Sequence, residues 1–425
     1  MTDTPVVVIG GGIGGLVTAL SLHRLGIECV VVEAVEEVLP LGVGINLLPH
    51  AVRELDALGL LERLESTSVA PSMLGYYSSH GQSIWSEPRG RAAGYSWPQL
   101  SIHRGTLQTT LWDEAEQRLG AGRLLTGHEV VEVSSDERGA RVTIRRRSDG
   151  STTEIHGAVT VAADGFHSAV RRQFLPDEGM PKWNGALLWR GALEHDPILD
   201  GRTMVWAGHP DQKFVAYPIL DLPSGRQLVN FIAEFRTANR ELLEREDWNR
   251  PGVLEDFAPR FADWRFDWLD IPALLRAAPG TFLFPMVDRD PIERWTRGLV
   301  TLLGDAAHPM YPIGSNGASQ AILDARVLAG CLRDLGVTGT ALHAYEEIRR
   351  PATAAIVLAN RGLGPEVPMR LVHERAPNGF TDIDEVISRE EIDAVTESYR
   401  RTAGFAVEAL ATGTSLTDAD YSVDR

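Results

Sequence analysis

Three glycines and one acid near the N-terminus carry the first chemistry legible in this chain. Gly10, Gly12 and Gly15 stand at G-x-G-x-x-G spacing, interleaved with Ile13 and Gly14, and Glu33 follows. Gly10 permits a tight turn, Gly12 lets a backbone approach a pyrophosphate, and Gly15 lets a helix pack close to a strand. A helix starting there offers unpaired N–H groups and a partial positive charge to phosphates. Glu33 is placed to accept hydrogen bonds from ribose hydroxyls, and its charge repels a 2′-phosphate. These residues point to a dinucleotide. Alone they do not separate FAD from NAD.

The elements needed to position them are present. Residues 6–9 form an apolar, β-branched run, residues 16–25 read as a helix, and residues 29–32 read as a second strand ending at Glu33. Two later segments repeat the pattern of a buried strand, an acid and a helix start. Residues 158–162 lead into Asp164-Gly165, and residues 300–303 lead into Gly304-Asp305. Ligands bind at such carboxyl edges of parallel strands. Beyond Asp305 the loop through Pro312 and Gly314 reaches Gly317, and a helix is expected over 318–332. Between the motifs, the segment 41–46 (Val43 and Gly44 at its centre) is glycine-punctuated, and a helix is expected over 49–64. Arg104 opens another helix that runs to about residue 119. Residues 130–133 and 141–144 read as a hairpin.

Composition narrows the class. The 425 residues carry a formal charge of −17, which disfavours nucleic acid and anionic membrane surfaces. Cys29 and Cys331, the only cysteines, sit in apolar segments and read as buried thiols rather than a disulfide or metal site. No signal peptide and no membrane-length apolar run is seen, so a cytoplasmic protein is expected. Monomer and homodimer fit equally.

Residues 182–290 change character. Trp183, Trp189, Trp206, Tyr217, Trp248 and Trp264 are among the aromatics that crowd short strands separated by Asp, Gly and Pro turns. An antiparallel sheet is expected, with short helices near 253–261 and 271–276. Such a sheet suits a pocket for a flat apolar substrate, although any single aromatic is more often core. Tyr217 is a candidate for orienting substrate. Arg190 fits an internal ion pair better than a substrate carboxylate. His308 and His103 read as packing residues, and no catalytic base stands out. From about residue 340 the chain is helical through Pro351, and the acidic tail beyond Gly364 carries further helix over 383–411.

Taken in order, the Glu33 βαβ unit, the Asp164-Gly165 turn and the Gly304-Asp305 segment with its Pro–Gly loop resemble the single-component FAD-dependent aromatic hydroxylases. Para-hydroxybenzoate and salicylate hydroxylases typify that group. The likeness runs from residue 1 to about 361. Within the family, the stretches 41–46, 85–90, 101–105, 285–291 and 304–325 are most similar to phenazine hydroxylases that act on 5-methylphenazine-1-carboxylate. The resemblance implies an α/β fold: a Rossmann-like, glutathione-reductase-type FAD-binding domain with an interleaved antiparallel-sheet substrate domain and C-terminal helices. It implies FAD domain segments 1–75, 101–181 and 291–340, substrate-domain segments 76–100 and 182–290, and a C-terminal region 341–425. It also implies FAD and a transient NADPH or NADH, with O2 and a small aromatic ring as substrates and a flavin C4a-hydroperoxide as oxidant. Glu33 then holds ribose and Gly10 to Gly15 the pyrophosphate. Arg104, Asp164 and Asp305 serve the phosphate and ribityl regions. Val43, Gly44, Pro312, Gly314, Gly317 and Ala318 border the isoalloxazine. A flavin oxidoreductase that inserts no oxygen is the alternative on this scaffold.

Overall fold

The strand Val6–Ile9 sits inside a six-stranded sheet, flanked by Cys29–Val32 on one side and Thr160–Ala162 on the other, all parallel. Leu124–Leu125 extends the sheet beyond Cys29–Val32, and Val300–Leu302 extends it beyond Thr160–Ala162; both are also parallel. Thr296–Arg297 closes that edge in the antiparallel sense. The four residues of Val6–Ile9 are all buried, as a strand covered on two faces requires. Helices Ile13–Arg24 and Gly317–Leu335 pack together against the sheet, and Gly339–Arg361 packs on the second of these. This computed structural model describes residues 4–238, 250–410 and 415–417. Trp248 and most of the tail beyond Leu410 lie outside them.

A second sheet has seven strands, antiparallel except where Thr203–His209 runs parallel to Met73–Tyr77. Alternation sorts its side chains onto two faces. Val205, Phe214, Ala216 and Phe231 point into a core shared with Trp189 and Trp264 and covered by the short helices between Leu254 and Ala277. Met204, Trp206, Val215 and Tyr217 point the other way, toward Tyr76 and Trp85 and under helices Val367–Arg375 and Arg389–Thr402. Trp189 stacks on Phe235 at 4.7 Å and on Phe257 at 5.2 Å, so it is core.

Several expected boundaries move. The helix expected over 49–64 is two helices, Pro49–Ala57 and Leu61–Glu65, separated at Gly59 with φ +76°. A division at 75/76 cuts Met73–Tyr77, whose first residue already pairs with Thr203 and Pro88. A division at 100/101 cuts Leu100–His103, which pairs with Gly44–Leu47 from its first residue. A division at 340/341 falls inside Gly339–Arg361, which Thr338 caps by accepting from the Ala341 N–H. Cys29 and Cys331 are free and buried, and burial pushes both thiols up to about 12. Among the described residues no helix is long and apolar enough to cross a membrane, and no cluster is placed to hold a metal ion.

Candidate functional site

Four adjacent parallel strands end in one row. Ile9 pairs with Val32 and Ala162, and Ala162 pairs with Leu302. The strands leading to Glu33, Gly10, Asp164 and Asp305 therefore end side by side along a single carboxyl edge, neighbouring strands being about 4.8 Å apart. The glycines are required by contact as well as by spacing. Gly10 has φ +102°, and a Cβ there meets the backbone of Ala163. A Cβ on Gly15 meets the Gly10 carbonyl, and one on Gly14 comes within 2.7 Å of Leu303 Cδ2. Around Gly12 there is open space. Glu33 Oε2 accepts from the Gly11 N–H at 2.7 Å and Oε1 from the Val35 N–H at 2.8 Å. Each oxygen keeps a free lone pair for a hydroxyl donor.

Asp164 is bound locally, accepting from the Ser168 hydroxyl at 2.6 Å and the Ala169 N–H at 2.8 Å. Burial raises its carboxyl above the ordinary value, against these hydrogen bonds. Asp305 is open to solvent at the edge but closely surrounded by protein elsewhere. Burial raises its carboxyl too, while His308 and Arg104 pull it down. Arg104 is exposed beside it, and its N–H donates to the Val43 carbonyl at 2.9 Å.

The turn 304–308 has a buried brace. Asp324 Oδ2 accepts from the Gly304 N–H at 3.1 Å and bonds His308 Nε2 at 2.5 Å; Oδ1 accepts from Arg349 at 2.7 Å. Burial alone would raise the Asp324 carboxyl, but His308 and Arg349 hold it below its usual value. Arg171 Nη1 donates to the carbonyls of Ala306 and Ala307 at 2.9 and 2.8 Å. His308 is 4% exposed and spends its ring nitrogen on this brace, which is a structural role. His103 likewise bonds the Gly42 carbonyl at 3.0 Å.

Gly44 is held on both sides of its peptide by the seven-stranded sheet. Its N–H donates to Asn230 Oδ1 at 2.7 Å, while its carbonyl accepts from Arg190 Nη2 and from the Tyr217 hydroxyl, each at 2.8 Å. A Cβ on Gly44 would lie 2.6 Å from Asn230 Cβ. Arg190 forms no internal ion pair among the described residues, contrary to expectation. Its guanidinium lies 5.6 Å from the Phe284 ring centre, and burial lowers its pKa. Tyr217, expected to meet substrate, turns its hydroxyl to this backbone. Burial raises its pKa against the pull of Arg190.

The strand Gly44–Leu47 packs against the turn Ile313–Ser315 and the helix that follows. Gly314 and Ser315 adopt successive left-handed conformations, φ +69° and +58°. Tyr399 props this turn from below. Its hydroxyl accepts from Asn316 Nδ2 and donates to Asn360 Oδ1, each at 2.8 Å, and it fills the space a Gly314 side chain needs. Ser319 Oγ accepts from the Leu48 N–H at 3.1 Å. Pro312, Gly314, Gly317 and Ala318 thus converge with Val43 and Gly44. Beyond Gly314 and Ser315 opens a narrow recess of about 20 Å³ between Leu48, Met204, Trp206 and Phe405. It adjoins a cavity of about 160 Å³ between Trp85, Tyr95, Phe405 and helix Arg389–Thr402. Tyr217 lines neither.

These residues fit FAD. The helices Ile13–Arg24 and Gly317–Leu335 both begin without a capping side chain, leaving first-turn N–H groups for a pyrophosphate and for the anionic edge of a flavin. Asn230, Asp324, Arg171 and Tyr399 were missed from sequence. Asp324 lies inside the family-like stretch 304–325 and Arg171 in the helix start after the Asp164-Gly165 turn, whereas Asn230 and Tyr399 carry no local signal.

Comparison with known proteins agrees. A family model described as FAD binding domain matches residues 3–360. The phenazine 1,6-dicarboxylic acid hydroxylase PhzS of Lysobacter antibioticus is 45% identical over 94% of this chain and 97% of its own. The 3-amino-4-hydroxybenzoate 2-monooxygenase PtnB3 of Streptomyces platensis is 34% identical over 87% and 91%. Among solved structures, Klebsiella pneumoniae HpxO complexed with FAD and uric acid superposes with TM-score 0.69 at 25% identity, covering 98% of this chain and 97% of that one. The carboxyl-edge row, the uncapped helix starts and these matches agree: the chain belongs to the FAD binding domain family, as an FAD-dependent aromatic monooxygenase.

Proposed function

We propose that this monooxygenase hydroxylates a flat, phenazine-type ring bearing a carboxylate, with NADPH or NADH as electron donor. The observation that carries the reading is the aromatic-walled cavity of about 160 Å³ that a narrow recess joins to Gly314 and Ser315. Relatives named for phenazine and aminohydroxybenzoate substrates favour acidic rings. FAD, when bound, supplies hydride acceptance and oxygen activation. The balance is one ring, one O2, one NAD(P)H and one proton giving hydroxylated ring, water and NAD(P)+.

In this reading Gly10, Gly12, Ile13, Gly14 and Gly15 present backbone to the pyrophosphate, and Glu33 accepts from ribose. Asp164 fixes the neighbouring helix start, and Arg104 and Asp305 face the ribityl chain. Pro312 and Gly314 bring backbone without a bulky side chain to the reacting edge, and Gly317 and Ala318 open the helix that faces it. Val43 and Gly44 border it from the other side. Tyr217 acts by fixing Gly44, as a positioning residue. The chain has no second G-x-G-x-x-G unit for NAD(P)H, so the nicotinamide docks transiently.

Holoenzyme turned over with NADPH or NADH, phenazine-1-carboxylate and ¹⁸O2 tests this. Hydroxylated product carrying one label is expected. Unlabelled product, or anaerobic turnover with an artificial acceptor at the aerobic rate, identifies an oxidoreductase that inserts no oxygen.

A further inference from the structure

Glu87, Arg89 and Arg400 line both the recess and the cavity beside it. They come from the strand Ser83–Pro88, the residue after it, and a helix about three hundred positions later. Glu87 is 5% exposed, and its carboxylate is taken from both sides: Arg89 Nη2 bonds Oε1 and Arg400 Nη2 bonds Oε2, with the Tyr76 hydroxyl donating to Oε1 at 3.1 Å. Two guanidiniums therefore share this buried carboxylate, and Arg400 Nη1 also lies 3.7 Å from the more exposed Glu397, which Arg401 takes at 3.0 Å.

The other charges nearby are paired. Arg389 and Asp393, on the same cavity wall, pair with each other at 2.9 Å. Glu366 and Glu234, on the far side of Trp206, are bridged by Lys213 at 2.7 and 3.2 Å, and burial raises the Glu234 carboxyl against the pull of Lys213. The walls also hold unpartnered polar atoms. Arg89 Nε, the indole N–H groups of Trp85 and Trp206, and Gln99 Oε1 are buried and make no hydrogen bond. Buried donors without partners, here the two indole N–H groups and Arg89 Nε, are costly unless a ligand satisfies them. A guanidinium pair is suited to the planar geometry of a carboxylate.

We propose that Arg89 and Arg400, bridged by Glu87, form the subsite that receives the ring carboxylate. This rests on the proposed substrate class and adds the residues that select it. The ring then lies in the cavity of about 160 Å³ between Trp85, Tyr95 and Phe405, with its acid group held by the arginines and another part of the ring directed through the narrow recess toward Gly314 and Ser315. Regiochemistry follows from where the acid is held.

The test uses FAD-loaded enzyme and two rings of the same shape, phenazine-1-carboxylate and the neutral phenazine-1-carboxamide, titrated by flavin absorbance. Wild type is expected to bind the carboxylate at least tenfold more tightly. Arg400→Gln is expected to lose that preference while holding the carboxamide within twofold, and Arg400→Lys to restore part of it. Equal wild-type affinities, or an equal loss for both rings in Arg400→Gln, overturn the subsite alone. The wild-type comparison decides the matter even if the variant does not fold. If neither ring perturbs the flavin, the substrate reading falls and the subsite with it.

Discussion

The Tyr217 hydroxyl donates to the carbonyl oxygen of Gly44 at 2.8 Å, tying the middle of the seven-stranded sheet to the segment bordering the flavin site. Arg190 reaches the same oxygen, so Tyr217→Phe leaves one donor and is expected to lower stability by only about 1 kcal/mol. Tyr217→Phe combined with Arg190→Met removes both, leaving the Gly44 carbonyl unsatisfied. The pair is expected to lose more than the sum of the singles, read by denaturant unfolding of holoenzyme. Additivity would show that Gly44 is held by other means.

Gly10→Ala places a Cβ against the Ala163 backbone in a left-handed conformation. That backbone has little room to retreat, because it continues directly from the buried strand Thr160–Ala162 and the Ala163 N–H donates to the Ile9 carbonyl at 2.8 Å. The variant is expected to purify colourless and to require at least a hundredfold more FAD for half-saturation. Gly12→Ala meets open space in the protein itself, so any loss of FAD affinity there measures contact with the cofactor.

Asp324→Asn keeps shape and removes the charge that pairs His308 and Arg349 beneath the Asp305 turn. An unpaired buried arginine is worth about 3–5 kcal/mol of lost stability. The sign with pH follows from the lowered carboxyl. The unfolded chain takes up this proton at a higher pH than the folded one. The contribution is therefore complete above the ordinary carboxylate range and is lost as pH falls through it and below. Thermal unfolding of the variant is expected to vary less below pH 4 than that of wild type.

His50 is 1% exposed and stacks 5.8 Å from Phe405. Burial, helped by Arg53 and Arg349, lowers its pKa from 6.5 to about 3. Between those values the unfolded chain carries a proton that the folded chain refuses, so stability declines as pH drops from 6.5 toward 3. His50→Gln is expected to flatten that slope in melting curves taken from pH 7 to 4. An unchanged slope would assign it to other groups.

The carboxyl-edge row was legible because buried parallel strands read as apolar runs and the residue of interest follows each run within three positions. Val6–Ile9, Thr160–Ala162 and Val300–Leu302 announce Gly10, Asp164 and Asp305 in this way. The clamp on Gly44 was not legible. Asn230, Arg190 and Tyr217 are polar residues embedded in aromatic strands, and only pairing far along the chain aims them at one peptide. Tyr217, a candidate for orienting substrate, meets the Gly44 carbonyl, a contact its type suits as well as it suits a ring hydroxyl. Arg89 lay inside a family-like stretch, but its partnership with Arg400 joins segments that no local pattern connects. Helix Arg389–Thr402 was foreseen as helix, whereas its place over the aromatic sheet came only with the fold.

Tyr399 and Arg400 are successive residues on that helix, and about 100° of turn sends them to different tasks. One steadies the backbone on which Gly314 sits, while the other faces the cavity. Ring choice and turn rigidity are thereby inherited together. A chimera that borrows this helix from a relative transplants a new acid host and a new strut in one cut, and a shift of its register by one residue unseats both.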